Sequence, residues 1–540
     1  MMKRAIQRYF RFRKPFFVVI VLISVVFSLQ FFNSLVHHSL PLEIFDNDNV
    51  DTNKVIVDIK IQKCFRFGSC NKSPGWDRVS KPLNMFSKSI MIYDYHLVVK
   101  REQINQANRI MTDFQLITNP AAPKGDGWVQ ESYENLISWK QYTNTNSPTF
   151  ESAQLIREVN ILFGDKDLHD SRTQWDFQYQ ELPMPFNSLL PVHLSLFKLS
   201  RSEEQEYIQN FTNFNVLKRE GNIITEKPNF RIMQVSDLHF SSDYEVCDDR
   251  ACKSDTKTLK FIEDSLESDD IDFVVITGDL IDQFKVKDFK SVILKGLAPI
   301  LRKKIPFIFT FGESDSNEFN NKNANIIKFQ ILQFISTLPN CYNYVPNQEN
   351  HVHGLTNYNL KLIRNQNSVP SAIFTVLDSE SHKIDASQIN SLYRLNKDLP
   401  QNIFKLLFFH YPLPNFRPTG KFKLIGSYNE KHQLNTKTSH SYRDDIVNCG
   451  YNVISVGHEH ENDACVLSEK HHPETKESLN EAWLCYSGIT GDSGVTKLNE
   501  DFDRKLRVFE IIFDNKRLIS WKRSSNKRIG FDYQIIHQLI

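Results

Sequence analysis

Five short apolar runs, each closed by acidic or histidine side chains, constrain the fold of this chain more than any other feature. The runs are rich in Val, Ile and Phe, a pattern typical of strands buried on both faces of a sheet covered by helices. They are FRIMQVSDLHF (230–240), FVVITGDLID (273–282), PFIFTFGESD (306–315), KLLFFHYPLP (405–414) and NVISVGHEH (452–460). In such α/β folds, ligands bind beyond the carboxyl ends of the strands. We therefore expect the polar side chains that follow the runs to meet at one site.

Seven of these side chains are candidate metal ligands. Asp237 and His239 stand two residues apart, so on an extended segment they point to the same side. The complete set is Asp237, His239, Asp279, Glu313, His410, His458 and His460. A set of oxygen and nitrogen donors without a thiolate is suited to binding Mn, Fe or Zn. It is less suited to a closed structural zinc site, which would favour cysteine. Seven ligands suit two ions that share a carboxylate, and such a pair clamps phosphate esters during hydrolysis.

The order of the motifs DLH, GDLID, GESD, FFHYPLP and GHEH makes this region resemble the calcineurin-like metallophosphoesterase superfamily. The segments 252–268 and 457–465 are also similar to fungal proteins of its purple-acid-phosphatase-like branch. The resemblance implies a four-layer αββα sandwich with two divalent metal ions. It implies that the first ion is held by Asp237, His239 and His460. It implies that Asp279 bridges the ions and that His410 and His458 hold the second.

The third motif departs from the family pattern, which usually reads GNHD or GNHE. Glu313 replaces the asparagine that binds the second metal in the family, and Ser314 replaces the histidine that protonates the leaving group or steadies the phosphate. A glutamate can ligate a hard cation, but it adds negative charge beside the phosphate. Serine cannot supply a proton near neutral pH, and a positioned acid typically contributes about 10²- to 10⁴-fold. Asp315 orients that histidine in the family, and here we expect it only to accept hydrogen bonds from its loop.

Two functions are therefore compatible with the sequence. The first is a metal-dependent hydrolase of phosphate monoesters with reduced activity, acting on a phosphorylated small molecule or a phosphoprotein. The second is a weak or inactive pseudo-phosphatase that serves as a binding or regulatory protein. The metal-activated water and the charge clamp can act without the missing acid, so the departure at Ser314 does not decide between them.

The N-terminus predicts a membrane anchor. A basic segment precedes an apolar stretch from Phe16 to Phe32 that is broken only by Ser24, Ser28 and Gln30. Its length is at the short end of a membrane span and long for the apolar part of a signal peptide, and no small-residue cleavage site follows it. The basic residues before this stretch and the acidic residues after it predict that the N-terminus is cytoplasmic and that the bulk of the chain lies on the other side of the membrane. We predict a single-pass signal anchor in a secretory or vacuolar membrane, with the catalytic domain lumenal or extracellular, over a cleaved signal.

A lumenal location gives meaning to the cysteines and the glycosylation tripeptides. The eight cysteines fit disulfides in an oxidising compartment, although the sequence does not determine their pairing. Asn71 and Asn210 begin acceptor tripeptides for N-glycosylation. Both are predicted sites.

Composition and patterning divide the chain into five segments. These are a cytoplasmic tail and anchor (1–34), a stem (35–54), a β-rich accessory domain (55–227), the metallophosphoesterase domain (228–520) and a C-terminal tail (521–540). Within the accessory domain, residues 127–142 fit either a strand pair or a helix. Within the catalytic domain, residues 255–268 have apolar residues at helical spacing, and Asp255 is placed to cap a crossover helix between parallel strands.

The charge of the chain gives no support for nucleic-acid binding. The formal net charge is +1 and the sequence pI is about 7.6. Nucleic-acid-binding proteins usually carry a concentrated basic surface. We therefore predict that nucleic acid is not a partner. The motifs predict a phosphorylated substrate, and the N-terminal apolar stretch predicts a membrane.

Overall fold

We describe the protein from a computed structural model. The described residues are 24–25, 28, 51–66, 74–88, 92–116, 128–130, 137–142, 148–165, 167–184, 186–241, 253–282, 286, 288–316, 323–346, 351–365, 369–379, 383–400, 402–414, 416, 422–428, 442–471, 478–492 and 502–539. Packing divides the chain into two compact units. One comprises Met1–Ile161 with Gln178–Ser202, and the other comprises Leu162–Phe177 with Glu203–Ile540. The second unit thus begins before residue 228, where the sequence placed the start of the catalytic domain.

The described part of the chain before residue 201 is mainly β-structure. Its elements are β1 (Lys54–Phe65), β2 (Asp77–Pro82), β3 (Tyr93–Gln103), β4 (Ile110–Leu116), β5 (Trp128–Gln130), β6 (Ile137–Tyr142), α1 (Pro148–Glu151), β7 (Leu155–Phe163), β8 (Trp175–Phe177) and β9 (Val192–Leu199). Two antiparallel sheets have the strand orders β1-β3-β2 and β4-β6-β5. The segment 127–142 therefore contains a strand pair, the first of the two alternatives left open by its sequence.

The second unit alternates helices and strands. Its helices are α2 (Arg201–Glu220), α3 (Ser254–Asp269), α4 (Phe289–Arg302), α5 (Ala324–Ser336), α6 (Ala386–Asn396) and α7 (Arg443–Asn448). Its strands after β8 are β10 (Asn222–Thr225), β11 (Asn229–Val235), β12 (Phe273–Thr277), β13 (Phe307–Thr310), β14 (Tyr358–Arg364), β15 (Ala372–Val376), β16 (Phe404–Phe409), β17 (Leu424–Ile425), β18 (Val453–Val456), β19 (Cys465–His471), β20 (Ser478–Tyr486), β21 (Lys505–Ile512), β22 (Arg517–Ser524) and β23 (Lys527–Gln538). The fold is mixed α/β, as predicted.

Two sheets form the centre of this unit. One has six strands in the order β13-β12-β11-β21-β22-β23, and the other has eight in the order β10-β14-β15-β16-β18-β20-β19-β17. Ile232 of the first sheet and Phe408 of the second belong to one buried apolar cluster between them. The outer face of the six-stranded sheet packs against α3, α4 and α5, where Leu297 is fully buried. The outer face of the eight-stranded sheet packs against α6 and α7, where Ile446 is fully buried.

The apolar runs of the sequence become buried strands, four of them within a sheet and one, β13, at the edge of the six-stranded sheet. All residues of β12, β13, β16 and β18 are buried, because each strand lies between a helical layer and the opposite sheet. Strands β11, β12 and β13 are parallel to one another, and so are β16 and β18. Their carboxyl ends consequently carry the candidate ligands.

Two details of the sequence interpretation are corrected. Asp255 does not cap α3, because the helix begins at Ser254 and Asp255 instead pairs with Lys295 at 2.5 Å. Residues 521–540 are not a separate tail, because they contain the end of β22 and all of β23. Strand β23 is an edge strand whose pairing with β22 shifts register at three points, so its apolar residues do not alternate cleanly.

Several sequence-based predictions fall outside the described residues. Of the predicted anchor, only Ser24, Val25 and Ser28 are among the described residues. Most of the predicted stem and Asn71 also lie outside them. Among the residues that are described, we find no helix that combines the length and apolar character needed to span a membrane. Asn210 lies on α2 with an exposed side chain.

Candidate metal centre

The structure brings all seven predicted ligands together. They follow the carboxyl ends of β11, β12, β13, β16 and β18, which belong to both sheets. Three overlapping groups have ligand atoms within 4.8 Å of one another. The groups are Asp237 with His239 and His460, Glu313 with His410 and His458, and Asp237 with Asp279 and His410.

The first group has the spacing expected of ligands around one ion. The Nε2 atoms of His239 and His460 are 3.5 Å apart, and His460 Nε2 is 3.5 Å from Asp237 Oδ1. Ligand atoms that each lie about 2.0–2.2 Å from a shared metal are separated by roughly 3 to 3.5 Å. The side chains of His239 and Asp237 are almost completely buried. This group therefore fits one divalent cation.

The second group is tighter. Glu313 Oε2 is 2.8 Å from His410 Nε2, and Glu313 Oε1 is 2.9 Å from His458 Nδ1. His410 Nδ1 lies 2.8 Å from the carbonyl oxygen of Thr277. A histidine that donates its other ring N–H to a backbone carbonyl is held in the orientation and tautomer of a metal ligand. A cation bound by His410 Nε2 and the Glu313 carboxylate fits this arrangement, and so does a charged hydrogen-bond network without one.

Asp279 stands between the two groups. Its Oδ2 atom is 3.6 Å from His239 Nε2 and 3.7 Å from His410 Nε2. Its Oδ1 atom accepts a hydrogen bond from the Ser314 backbone N–H at 2.8 Å. A carboxylate with one oxygen facing an imidazole of each group is the one best placed to be shared by two ions.

The backbone at four of the seven ligands is left-handed. The φ angles are 56° at Asp237, 48° at His239, 52° at Asp279 and 68° at His458. Such conformations at non-glycine residues cost on the order of 1–3 kcal/mol each, and they concentrate at functional sites. The extended geometry assumed for Asp237 and His239 in the sequence analysis is therefore wrong, because β11 ends at Val235 and the pair lies in a strained turn.

Three glycines of the motifs are needed for the approach of the ligands, a role that the sequence analysis missed. Each directly precedes a predicted ligand: Gly278, Gly312 and Gly457. A Cβ atom would lie 2.5 Å from His410 Nδ1 at Gly278, and at Gly312 it would collide with Asp279 Oδ1. The repeated pairs Gly-Asp, Gly-Glu and Gly-His at strand ends were the available signal.

Charge balance in the site favours a bound cation. Burial and, after it, the charge of the nearby Glu313 carboxylate raise the pKa of Asp279 to about 7. Burial opposes ionisation of Asp237 as well, but the hydrogen bond and charge of His460 outweigh it and lower the pKa to about 2. Burial and the charge of His460 lower the pKa of His239 to about 4. Neighbouring carboxylates repel one another when they are all ionised, and a bound divalent ion would reduce this repulsion.

Ser314 and Asp315 support the cluster. Ser314 Oγ donates a hydrogen bond to Asp279 Oδ2 at 3.0 Å. The fully buried Asp315 carboxylate accepts the backbone N–H groups of Asp279 at 3.0 Å, Ile281 at 3.0 Å and Gly312 at 2.9 Å. Asp315 therefore holds two ligand-bearing loops together. Only the Gly312 N–H belongs to the loop of Asp315 itself, so its contacts reach beyond the loop that the sequence analysis considered.

Removal of metal should destabilise the protein. A ligand present at a hundredfold excess over its Kd stabilises the folded state by about 2.7 kcal/mol per site, and here it would also relieve repulsion among the carboxylates. We expect a chelator to lower the thermal unfolding midpoint, measured by calorimetry. Asp237→Asn should reduce this shift, whereas Asp514→Asn, at an exposed side chain on the surface, should keep it. Equal midpoints with and without chelator would contradict a metal-binding site.

Comparison with known proteins identifies one domain of the chain. Residues 230–462 match the family model of the calcineurin-like phosphoesterases. This range runs from the start of the first motif to just beyond the last predicted ligand. Residues 230–462 therefore form a calcineurin-like phosphoesterase domain, and the resemblance drawn from the motifs is confirmed.

Individual relatives are fungal and plant proteins. The chain is 32% identical over 392 residues to Protein SIA1 of Kluyveromyces lactis, covering 71% of this chain and 63% of that protein. It is 27% identical over 415 residues to Phosphatase DCR2 of Saccharomyces cerevisiae, covering 70% of this chain and 66% of that protein. It is 27% identical over 354 residues to Probable inactive purple acid phosphatase 29 of Arabidopsis thaliana, covering 57% of this chain and 85% of that protein. The matches thus span slightly less than two thirds of the two yeast relatives.

Proposed function

We propose that the protein is a metal-dependent phosphoesterase that hydrolyses phosphate monoesters with two divalent cations, Mn, Fe or Zn. The observation that carries this proposal is the position of Asp279 between two groups of ligands contributed by both sheets. The calcineurin-like phosphoesterase domain and similarity to a yeast protein named as a phosphatase support it. We also infer that the two sheets and their outer helices form the four-layer αββα sandwich of that family.

The side chains of the cluster have distinct roles in this proposal. Asp237, His239 and His460 would hold the first cation, Glu313, His410 and His458 would hold the second, and Asp279 would contribute to both. When bound, the two cations supply a nucleophile at neutral pH and neutralise the phosphoryl oxygens. Asp315 keeps the loops of Asp279 and Gly312 in register through its three hydrogen bonds.

The chain does not supply the usual proton donor at position 314. Ser314 Oγ donates its hydrogen bond to Asp279, and an aliphatic hydroxyl group is too weak an acid to protonate a leaving group near neutral pH. The leaving alkoxide must then take its proton from solvent or another group. The Glu313 carboxylate also adds negative charge near the position of the phosphate.

The proposal predicts a strong dependence on the leaving group. Aryl phosphates leave as weakly basic phenolates and need little protonation, whereas alkyl esters and phosphoserine need an acid. We expect the kcat/KM of an aryl phosphate to exceed that of an alkyl phosphate by roughly 10²- to 10⁴-fold, the contribution of a positioned acid. Initial rates on matched aryl and alkyl monoesters would measure the ratio. Comparable rates on the two classes would mean that an acid is present after all.

A second function is favoured by one feature of the cluster. The Glu313 carboxylate lies within hydrogen-bonding distance of both His410 and His458. Burial opposes the charge on His410, but Asp279 and Glu313 together raise its pKa well above the ordinary value. The charges of the second group can thus balance one another as an internal ion pair without a metal. A pseudo-phosphatase that binds or regulates another molecule is the corresponding alternative.

The cellular setting of the proposed enzyme is drawn from the sequence. We propose that residues 16–32 anchor the chain in a secretory or vacuolar membrane, with glycosylation at Asn71 and Asn210. The disulfide between Cys465 and Cys485, which joins neighbouring residues of β19 and β20, supports an oxidising compartment. Of the other described cysteines, Cys341 and Cys449 are free thiols buried in the fold. Protease protection of the intact protein in sealed microsomes would test the orientation.

A further inference from the structure

A cavity of about 760 Å³ lies in the second unit apart from the metal centre. Its walls come from helix α3, residues 490–492, residues 502–504 and the turn that joins β22 to β23. None of the seven predicted metal ligands lines it. Its volume is in the range of sites that hold small organic ligands.

The charged side chains around the cavity are not balanced. Several of those that line it have partners: Lys260 pairs with Asp264 at 3.1 Å, Glu267 with Lys303 at 2.9 Å, and Arg523 with Asp269 at 2.5 Å. The remaining lining charges are Lys257, Arg504, Lys527 and Asp492.

A single carboxylate serves two of these three cations. Asp492 Oδ1 is 2.9 Å from Arg504 Nε, and Asp492 Oδ2 is 3.3 Å from Lys257 Nζ. Among the described residues, Lys527 has no carboxylate within ion-pair distance, and its ammonium group lies over the ring of Phe531. The described side chains that line the cavity therefore carry an excess of positive charge.

Arg504 provides an independent sign of a missing partner. The residue is only 4% exposed, and its Nη1 atom is buried without a hydrogen-bond partner in the part of the chain that is described. A buried guanidinium N–H that is not hydrogen-bonded costs free energy, because it has lost its water. Phosphate oxygens are the acceptors that an arginine fork binds most strongly.

The uncharged part of the wall fits a phosphate ester. The hydroxyl-bearing side chains of Thr258, Ser265 and Ser524 line the cavity, as do the aromatic rings of Phe261 and Phe502. The three hydroxyl groups already donate their hydrogens, to the carbonyl oxygens of Ser254 and Phe261 and to the Asp503 carboxylate, whereas the aromatic rings can pack against an organic group. The cavity thus combines cationic side chains with apolar surface.

We propose that this cavity is a second anion site that binds the phosphate group of a small organic phosphate, with Arg504 and Lys527 as its principal cationic contacts. The site is separate from the metal centre and does not depend on phosphoesterase activity. Inorganic phosphate carries the same charged group, so the experiment includes both ligands.

The test is calorimetric titration of the full chain carrying Asp279→Asn, which disables the proposed metal centre. Inorganic phosphate and phenyl phosphate are the two probes. We expect binding that resists a chelator, with tighter binding of phenyl phosphate if Phe261 and Phe502 contact the organic group. Equal affinity for the two probes would assign the site to inorganic phosphate. Both results support the anion site.

Substitutions in the same background locate the binding. Arg504→Gln should weaken it roughly tenfold, as loss of a charge-assisted hydrogen bond implies, and Lys527→Gln should weaken it about threefold. Lys260→Gln is the matched control, because this lysine also lines the cavity but pairs with Asp264. Lys527 is exposed, so its variant should fold even if Arg504→Gln does not. Absence of binding, binding that the chelator removes, or binding unchanged in the Lys527 variant would overturn the proposal.

Discussion

Replacing Asp279 with asparagine should reduce the turnover of an aryl phosphate by roughly a thousandfold or more. The substitution keeps the shape of the side chain and an oxygen that can accept the Ser314 N–H, but it removes the negative charge shared between the two ligand groups. Loss of that charge weakens the hold on both cations, and with it the activation of water and the neutralisation of the phosphoryl oxygens. Steady-state kinetics and metal analysis of the same preparations would measure both effects.

A buried carboxylate outside the cluster provides the control. Asp378 is fully buried and accepts the backbone N–H groups of Leu355 and Thr356, at 2.8 and 3.2 Å. Asp378→Asn should cost stability but leave the metal content intact. If Asp279→Asn retained full turnover, the proposed mechanism would fail. If the unaltered protein bound two metal ions but turned over no aryl phosphate, the pseudo-phosphatase would be the better description.

Restoring the usual family residues at positions 313 and 314 should raise activity. The double substitution Glu313→Asn with Ser314→His removes a negative charge beside the phosphate and introduces an imidazole that can protonate the leaving group. Because a positioned acid contributes about 10²- to 10⁴-fold, we expect turnover of an alkyl phosphate to rise roughly a hundredfold. Turnover of an aryl phosphate, which needs less protonation, should rise much less.

The single substitution Ser314→Ala distinguishes the effect of the added imidazole on activity from the effect of removing the serine. It removes the hydrogen bond from Ser314 Oγ to Asp279 Oδ2 without adding a proton donor. Its turnover of alkyl phosphate should therefore stay at the level of the unaltered protein or below it. An increase of less than about tenfold in the double variant would show that position 314 is not the main defect.

Part of the fold could be predicted because its signal is local. The apolar runs before Asp237, Asp279 and His410 became buried central strands, since such runs are stable only where both faces of a strand are covered. Helix α3 was predicted within two residues of its bounds from helical periodicity. Strand β23 was missed because an edge strand with irregular register carries no clear alternation.

The grouping of the ligands could be stated only as what the family resemblance implies. The distances from Glu313 to His410 and His458 depend on how the loop after β13 approaches the ends of β16 and β18 in the other sheet. No spacing along the chain encodes that approach. The left-handed turns at Asp237 and His239 were likewise missed, because the sequence shows no glycine at either position.

The sequence by itself determined the chemical character of the centre: which oxygen and nitrogen donors follow the strands, and that position 314 has lost its imidazole. The tertiary structure alone decided that Asp279 faces both ligand groups, that Glu313 contacts two histidines, and that Arg504 is buried beside a cavity without a full set of partners. The reason is physical, because residue type and periodicity are local properties, whereas the distance between two side chains depends on the packing of one sheet against another.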